Sequence, residues 1–382
     1  MNLKNVLTGI MLCLTASSCI QDEALNIEAA IDGCDGSNIQ LSTINTDNKS
    51  VTIYVSKSTD LSALEINFLL PEGASIRPVK TMSGDNAPQY NFNLPGTDIL
   101  ARDFRVTSES GTTEAVYTIT IMQSELPTEY SFEKIDNSGL YHEFFELDLR
   151  KAEMLQWASG NPGFRLTGMA KLPSDYPTVQ SEGYHGKGVK LETKNTGSFG
   201  ATVSMPIAAG NLFIGSFEIG NALKDAPKAT KFGFPFYKHP TRLSGYYKFK
   251  SGEDFTSYTL TPDGKKKFFI DPEMKGKDKG DIYAVLYNTD NTDDFLDGYN
   301  SLTSEKIISI ARIPTTEETD EWKLFDIPFE YKKGINDDDL KTGKYKLAIV
   351  FSSSIEGADF KGSVGSTLWI DEVTIHCEED NK

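Results

Sequence analysis

Two runs, Phe104-Arg105-Val106-Thr107 and Ala115-Val116-Tyr117-Thr118-Ile119-Thr120-Ile121, flank the turn Glu109-Ser110-Gly111-Thr112. β-Branched and aromatic residues fill both runs around a turn that contains Gly, which is the pattern of a β-hairpin. The same period of two appears upstream in Val51-Thr52-Ile53-Tyr54-Val55 and Leu64-Glu65-Ile66-Asn67-Phe68. Short strands punctuated by Gly, Pro, Asn and Asp predict a small β-sandwich over residues 38–122. Nothing in that stretch has the look of a reaction centre, so it reads as a spacer.

Downstream, Gln123-Ser124-Glu125-Leu126-Pro127-Thr128 reads as a linker, spanning 123–129, because Pro127 disfavours continued sheet. Residues 130–382 form the second predicted domain. Its strand candidates are 188–192, 201–205, 212–219, 246–249, 282–287, 307–313, 322–329, 344–351 and 367–375. Only 143–157 is predicted to be helical. Many strands without repeating helices predict a jelly-roll sandwich, so the expected fold class is all-β.

Upstream, Met1–Ser18 carries one Lys, an apolar run from Val6 to Leu14, and small residues before Cys19. That is an export signal, and its apolar run is too short to span a bilayer, which takes roughly 20 residues. Small residues followed by Cys resemble a bacterial lipobox, with Ala16 where Leu is usual. The resemblance implies lipidation of Cys19 and an outer-membrane lipoprotein. The acidic pair Asp22-Glu23 resembles the surface-export signal of Bacteroidetes lipoproteins. Residues 19–37 then read as a tether.

The chain has 382 residues and a net charge of −17. Such a balance repels phosphate backbones and anionic lipid surfaces, so neither nucleic acid nor charge-driven membrane docking is expected. Beyond Cys13 and Cys19, only Cys34 and Cys377 remain, near opposite ends. They are too sparse for a disulfide framework and read as structural thiols; a bridge would require the termini to meet. Cys and His motifs with metal-ligand spacing are missing, and no cofactor is expected.

The second domain resembles a family of Bacteroidetes lipoproteins described as a putative carbohydrate metabolism domain. The resemblance rests on Trp157-Ala158-Ser159-Gly160-Asn161-Pro162-Gly163, on Gly233-Phe234-Pro235-Phe236 with Leu243–Lys250, on Leu347–Ser354, and on Gly362–Val373. It implies a jelly roll like those of carbohydrate-binding modules and some glycoside hydrolases, behind an immunoglobulin-like domain. The run Ser108–Ile121 likewise resembles the last hairpin of immunoglobulin-like spacers.

Sugar recognition needs flat aromatic faces and polar tips. Trp157 with Asn161 is one candidate, either an exposed platform beside a turn or a core cap. Tyr246 and Lys248 are a second: alternation sends them to one face with Lys250, and Tyr247 and Phe249 to the other. That face could take an acidic or a neutral glycan, or be plain solvated strand. Tyr184 and His185 lie in a glycine-rich corner that could line a site or simply turn the chain. Asp371, drawn toward an apolar side of its strand, could hold a structural calcium. Glu143, Glu146 and Asp148 could supply the carboxyl pair of a glycosidase, or be a solvated helix face. The expected function is glycan binding in polysaccharide recognition or uptake; a glycoside hydrolase or a structural adhesin are the alternatives. A deep cleft with facing carboxylates would mark an enzyme, a shallow aromatic strip a binding module.

Overall fold

A computed structural model describes residues 25–94, 100–137, 139–147, 153–291 and 294–378. The hairpin around Gly111 forms, with Ala101–Thr107 antiparallel to Glu114–Gln123 and Phe104 opposite Tyr117. Gly111 turns the chain at φ 68°, a conformation that glycine adopts without the Cβ penalty. Five strands make this sheet in the order Ile39–Asn45, Ser50–Val55, Glu114–Gln123, Ala101–Thr107, Ser75–Pro78. Two short ribbons, Gly33–Asp35 with Asn67–Leu69 and Leu64–Glu65 with Gln89–Tyr90, lie with it around one core. Ala29 and Ile31 are buried there too. Residues 29–35, expected in the tether, are thus held by apolar burial and strand pairing. A buried Arg102 clamps the inside of this unit. It donates to both carboxylate oxygens of Asp85 and to the carbonyls of Lys80 and Asn91.

Two larger sheets build the second unit. One has the order Thr178–Glu182, Lys187–Glu192, Thr367–Cys377, Pro240–Lys250, Thr319–Pro328. The other has Asn211–Phe213, Tyr345–Ser352, Asp281–Asn288, Ile307–Arg312, Glu330–Tyr331. Leu243, Tyr247, Phe249 and Ile370 from the first meet Ile282, Leu286, Ile349 and Phe351 from the second in one core. The expected all-β sandwich is what forms.

The sequences of the two sheets explain which faces are covered. Asp281–Asn288 and Tyr345–Ser352 are near-continuous apolar runs and are buried on both faces. Val285, Tyr287, Ala348 and Val350 fill a second core beneath the segments that cover that sheet. Pro240–Lys250 instead alternates buried with part-exposed residues. The first sheet therefore keeps one face toward solvent.

Three sequence expectations are corrected. Within the expected helix 143–157, the described residues are strands instead: Glu143–Leu147 and Glu153–Gln156 pair antiparallel, with Phe144 and Leu155 inward. Residues 201–205 are not a strand, because Gly197–Thr202 forms a short helix. The strand expected over 212–219 breaks after Phe213. Gly215 sits at φ 147°, and a Cβ there would lie 1.9 Å from the Lys231 carbonyl oxygen, so the chain crosses to pair with Thr230–Phe232.

The two units share side chains. Tyr54 and Leu41 belong to the core between the two large sheets. The Tyr54 ring meets Phe234 edge-on at 5.5 Å, and its oxygen accepts from the Gln156 amide at 2.7 Å. Gln40 donates to Tyr237 and Asn45 to Glu143, each at 2.9 Å. The predicted linker is packed as well: Leu126 is buried, and Ser124 donates to the Met154 carbonyl at 2.7 Å.

Candidate functional site

The solvent face of the first sheet carries a strip of rings. Tyr246 lies opposite Leu324 on one side and Asp371 on the other. Lys248 lies opposite Trp369, and Lys190 pairs with Trp369 from the next strand. Period two brings Tyr246 and Lys248 outward while Tyr247 and Phe249 enter the core, as alternation predicts. Tyr184, from the corner between Glu182 and Lys187, folds over and stacks on Tyr246 at 3.7 Å with an interplanar angle of 10°. It meets Trp322 edge-on at 6.4 Å and the His185 ring at 4.5 Å. The Lys248 ammonium sits 4.9 Å from the centre of Trp322 and 5.2 Å from that of Trp369, close enough for cation–π attraction to both. Leu324, 56% exposed, extends the apolar surface. The structure thus brings Tyr184, His185, Tyr246 and Lys248 together on one shallow surface.

Trp322 and Trp369 were not singled out from sequence as ligand contacts. A signal was present for Trp322: Phe325, Ile327 and Phe329 are apolar at period two, which sends Trp322 and Leu324 outward. For Trp369 the same rule worked from the core positions Leu368 and Ile370.

Asp371 stands at the edge of the strip, beneath the Tyr184 corner. It is fully buried, and its Oδ2 accepts from the His185 amide at 2.9 Å. A Cβ on Gly183 would lie 2.5 Å from that oxygen, which explains a glycine there. The alternation expected through 368–373 breaks at this point. Register jumps from Ser244 opposite Thr374 to Tyr246 opposite Asp371, and Glu372 takes φ 50°. This β-bulge returns Val373 to the core, where strict alternation would have placed it outside. Glu372 reaches His185 at 3.7 Å. Burial pushes the Asp371 carboxyl up to about 6. Calcium does not fit here. The ion needs six to eight oxygens, whereas Asp371 Oδ2 meets a backbone N–H and Oδ1 has no hydrogen-bond partner. Among the described residues no three His, Cys, Asp or Glu side chains converge as a metal site would require. Asp290 and Asp294 are both engaged by Lys306.

Trp157 and Asn161 are not on this surface. Trp157 is 3% exposed, packed against Tyr130 at 5.2 Å and Phe132 at 5.3 Å. Asn161 is wholly buried; its Nδ2 donates to the Thr178 carbonyl at 2.8 Å and its Oδ1 accepts from the Thr178 amide at 3.1 Å. Both are inside because the turn that joins them packs onto the sheet, so neither can meet a sugar. Glu146 is not on a solvated face either. It is buried and accepts from Trp157 Nε1 at 3.0 Å. Glu143 is half-buried and held by Asn45; Asp148 lies outside the described residues, as does Cys19.

Burial pushes the Glu146 carboxyl up to about 7. Glu146 and Asp371 therefore hold their protons in the folded state over a range where the unfolded chain has lost them. Their contribution to stability is complete below about pH 4 and is lost as pH rises through 6 to 7. The urea midpoint should fall between pH 5 and pH 8, and Glu146→Gln should flatten the upper part of that fall. A midpoint that climbs across this window would contradict the assignment.

A cavity of about 300 Å³ lies elsewhere, between the second sheet and its covering segments. Phe164, Phe199, Met205, Phe217, Phe232 and Tyr283 line it. Asp281 is the one acid among its lining residues, and Arg312 grips both of its oxygens at 3.0 and 2.8 Å. It is an apolar space without the facing carboxyl pair that glycoside hydrolysis uses.

Comparison with known proteins gives the following. The model of the family described as a putative carbohydrate metabolism domain matches residues 131–376. A solved structure from Bacteroides thetaiotaomicron, described as a putative glycoside hydrolase, is 42% identical. The match covers 94% of this chain and 100% of that one, with a TM-score of 0.78. A second from Bacteroides vulgatus, described in the same words, is 39% identical over 67% of this chain and 100% of that one, with a TM-score of 0.59. No curated protein matches the sequence. Residues 131–376 span both sheets of the second unit and every ring of the strip, and over them this chain belongs to the putative carbohydrate metabolism domain family.

Proposed function

We propose that this protein is a surface lipoprotein, anchored through Cys19, that binds polysaccharide on the solvent face of its first large sheet. The observation that carries this reading is the strip itself: Tyr184, Tyr246, Trp322 and Trp369 gathered around Lys248 on one shallow face. Sugar rings present apolar C–H faces that stack on such rings, and the ring edges and Lys248 leave polar groups for hydroxyls. The family match supports a carbohydrate role. Titration calorimetry of the folded chain against plant and host polysaccharides tests the reading; binding to none of them would sink it. Tyr246→Ala or Trp322→Ala should weaken binding about tenfold to a hundredfold, the scale of an aromatic anchor at a contact centre. Loss of metabolic palmitate labelling in Cys19→Ser would support the anchor, and unchanged labelling would refute it.

A second reading is favoured by the description of both Bacteroides relatives as putative glycoside hydrolases. Asp371, with its raised carboxyl beside the strip, is then the acid to examine. Reducing-sugar release that disappears in Asp371→Asn would support it. Binding without turnover is the preferred reading, because Asp371 is closed off from solvent and its Oδ2 is held by the backbone.

A further inference from the structure

We infer that the glycan taken by the strip is anionic, its sugars bearing carboxylate or sulfate, with Lys248 as the residue that selects for the charge. This rests on the strip being a glycan site and names what that site prefers. Other cations on the same face are matched by acids: Arg242 by Asp326, and Lys190 by Glu192 at 2.6 Å. Among the described residues Lys248 forms no ion pair. Its neighbours are two indole faces, and its strand partner is Trp369, not a carboxylate. Lys250 follows two positions on, exposed on the same face and likewise without an ion pair.

The setting makes this arrangement selective. The chain carries −17 overall, so a pair of acid-free cations stands against the general field. A neutral sugar laid across Trp322 and Trp369 would cover the Lys248 ammonium and strip its water without supplying a counter-charge, which is costly. An anionic sugar on the same rings replaces that water with a charge-assisted hydrogen bond. The indoles hold the ammonium in place beforehand, so little side-chain freedom is lost on binding. The remaining charged groups nearby, Glu372 and His185, approach each other at 3.7 Å.

The experiment is calorimetry of the whole chain with three polymers: polygalacturonate, a sulfated galactan and uncharged galactan. At least one anionic polymer should bind ten times or more tighter than galactan, and which one does so identifies the anion. Lys248→Met should bring that polymer to the galactan level, while Lys248→Arg keeps the preference; thermal unfolding midpoints verify that both variants are folded. Galactan binding as tightly as either anionic polymer overturns the inference, as does a preference that survives in Lys248→Met. If galactan binds without an anionic preference and Tyr246→Ala abolishes it, the strip reading stands and the charge selection falls. If the folded protein binds no polymer, both fall.

Discussion

Trp157→Ala is expected to lower the free energy of unfolding by about 3–5 kcal/mol, the usual cost of truncating a large buried aromatic. The ring touches Tyr130, Phe132 and Phe351, with centroids at 5.2, 5.3 and 6.0 Å. Strands from both large sheets and from the Glu143–Gln156 hairpin depend on it, so the space left behind has little freedom to collapse. Its Nε1 also caps Glu146, whose Oε1 would lose a donor inside the protein. Trp157→Phe should cost less, because it restores most of the volume and none of the hydrogen bond. Urea unfolding followed by circular dichroism measures both. A loss below 1 kcal/mol for Trp157→Ala would mean that the ring is not a keystone, and would reopen its candidacy as a surface platform.

Asp278→Ala should be of similar size, about 3–5 kcal/mol. Its carboxylate is buried, and Oδ2 alone accepts from Ser354 Oγ, the Ser363 amide and Ser366 Oγ, each at 2.7 Å. Removing it leaves the Ser363 amide and the Ser366 hydroxyl without this acceptor, each costing about 1–3 kcal/mol, while the Ser354 hydroxyl keeps only Thr193 Oγ1 at 2.6 Å; such losses are not additive. Those donors anchor the turn that starts strand Thr367–Cys377, which carries Trp369 and Asp371. Glycan affinity should therefore drop along with the midpoint. Asp278→Asn keeps one acceptor and should recover part of both. A stable Asp278→Ala protein with full affinity would contradict the account.

Much of the fold was legible because period-two alternation is a direct image of a sheet with one dry face. Tyr246-Tyr247-Lys248-Phe249 could be divided between core and solvent from sequence. The failures have local causes. The 143–157 segment mixes acids with Phe, Leu and Met, which satisfies a helical stripe as well as two strands; pairing with Lys134–Asp136 decides it. Alternation also cannot foresee a bulge, and the one at Glu372 is what returns Val373 to the core. For the site, Tyr184, His185, Tyr246 and Lys248 were legible as residue types, but their meeting was not. Tyr184 lies 62 positions from Tyr246 and reaches it only because Thr367–Cys377 runs between their strands. Trp157 and Asn161 carried the family resemblance for a packing reason, and so did the Ser352–Ser354 and Gly362–Ser366 motifs, which converge on Asp278.

The ring of Tyr54 gives the molecule's modularity an unexpected boundary. The segment shared across the family begins at residue 131, yet the core of that segment is completed by Leu41, Tyr54 and Leu126 from upstream. The segment matched by the family model and the apolar core do not share a boundary. Gene rearrangement that exchanged the upstream part would also have to deliver a plug for the gap facing Phe234 and a hydroxyl for the Gln156 amide. A rearrangement that kept Leu41, Tyr54 and Leu126 in place would leave that core sealed.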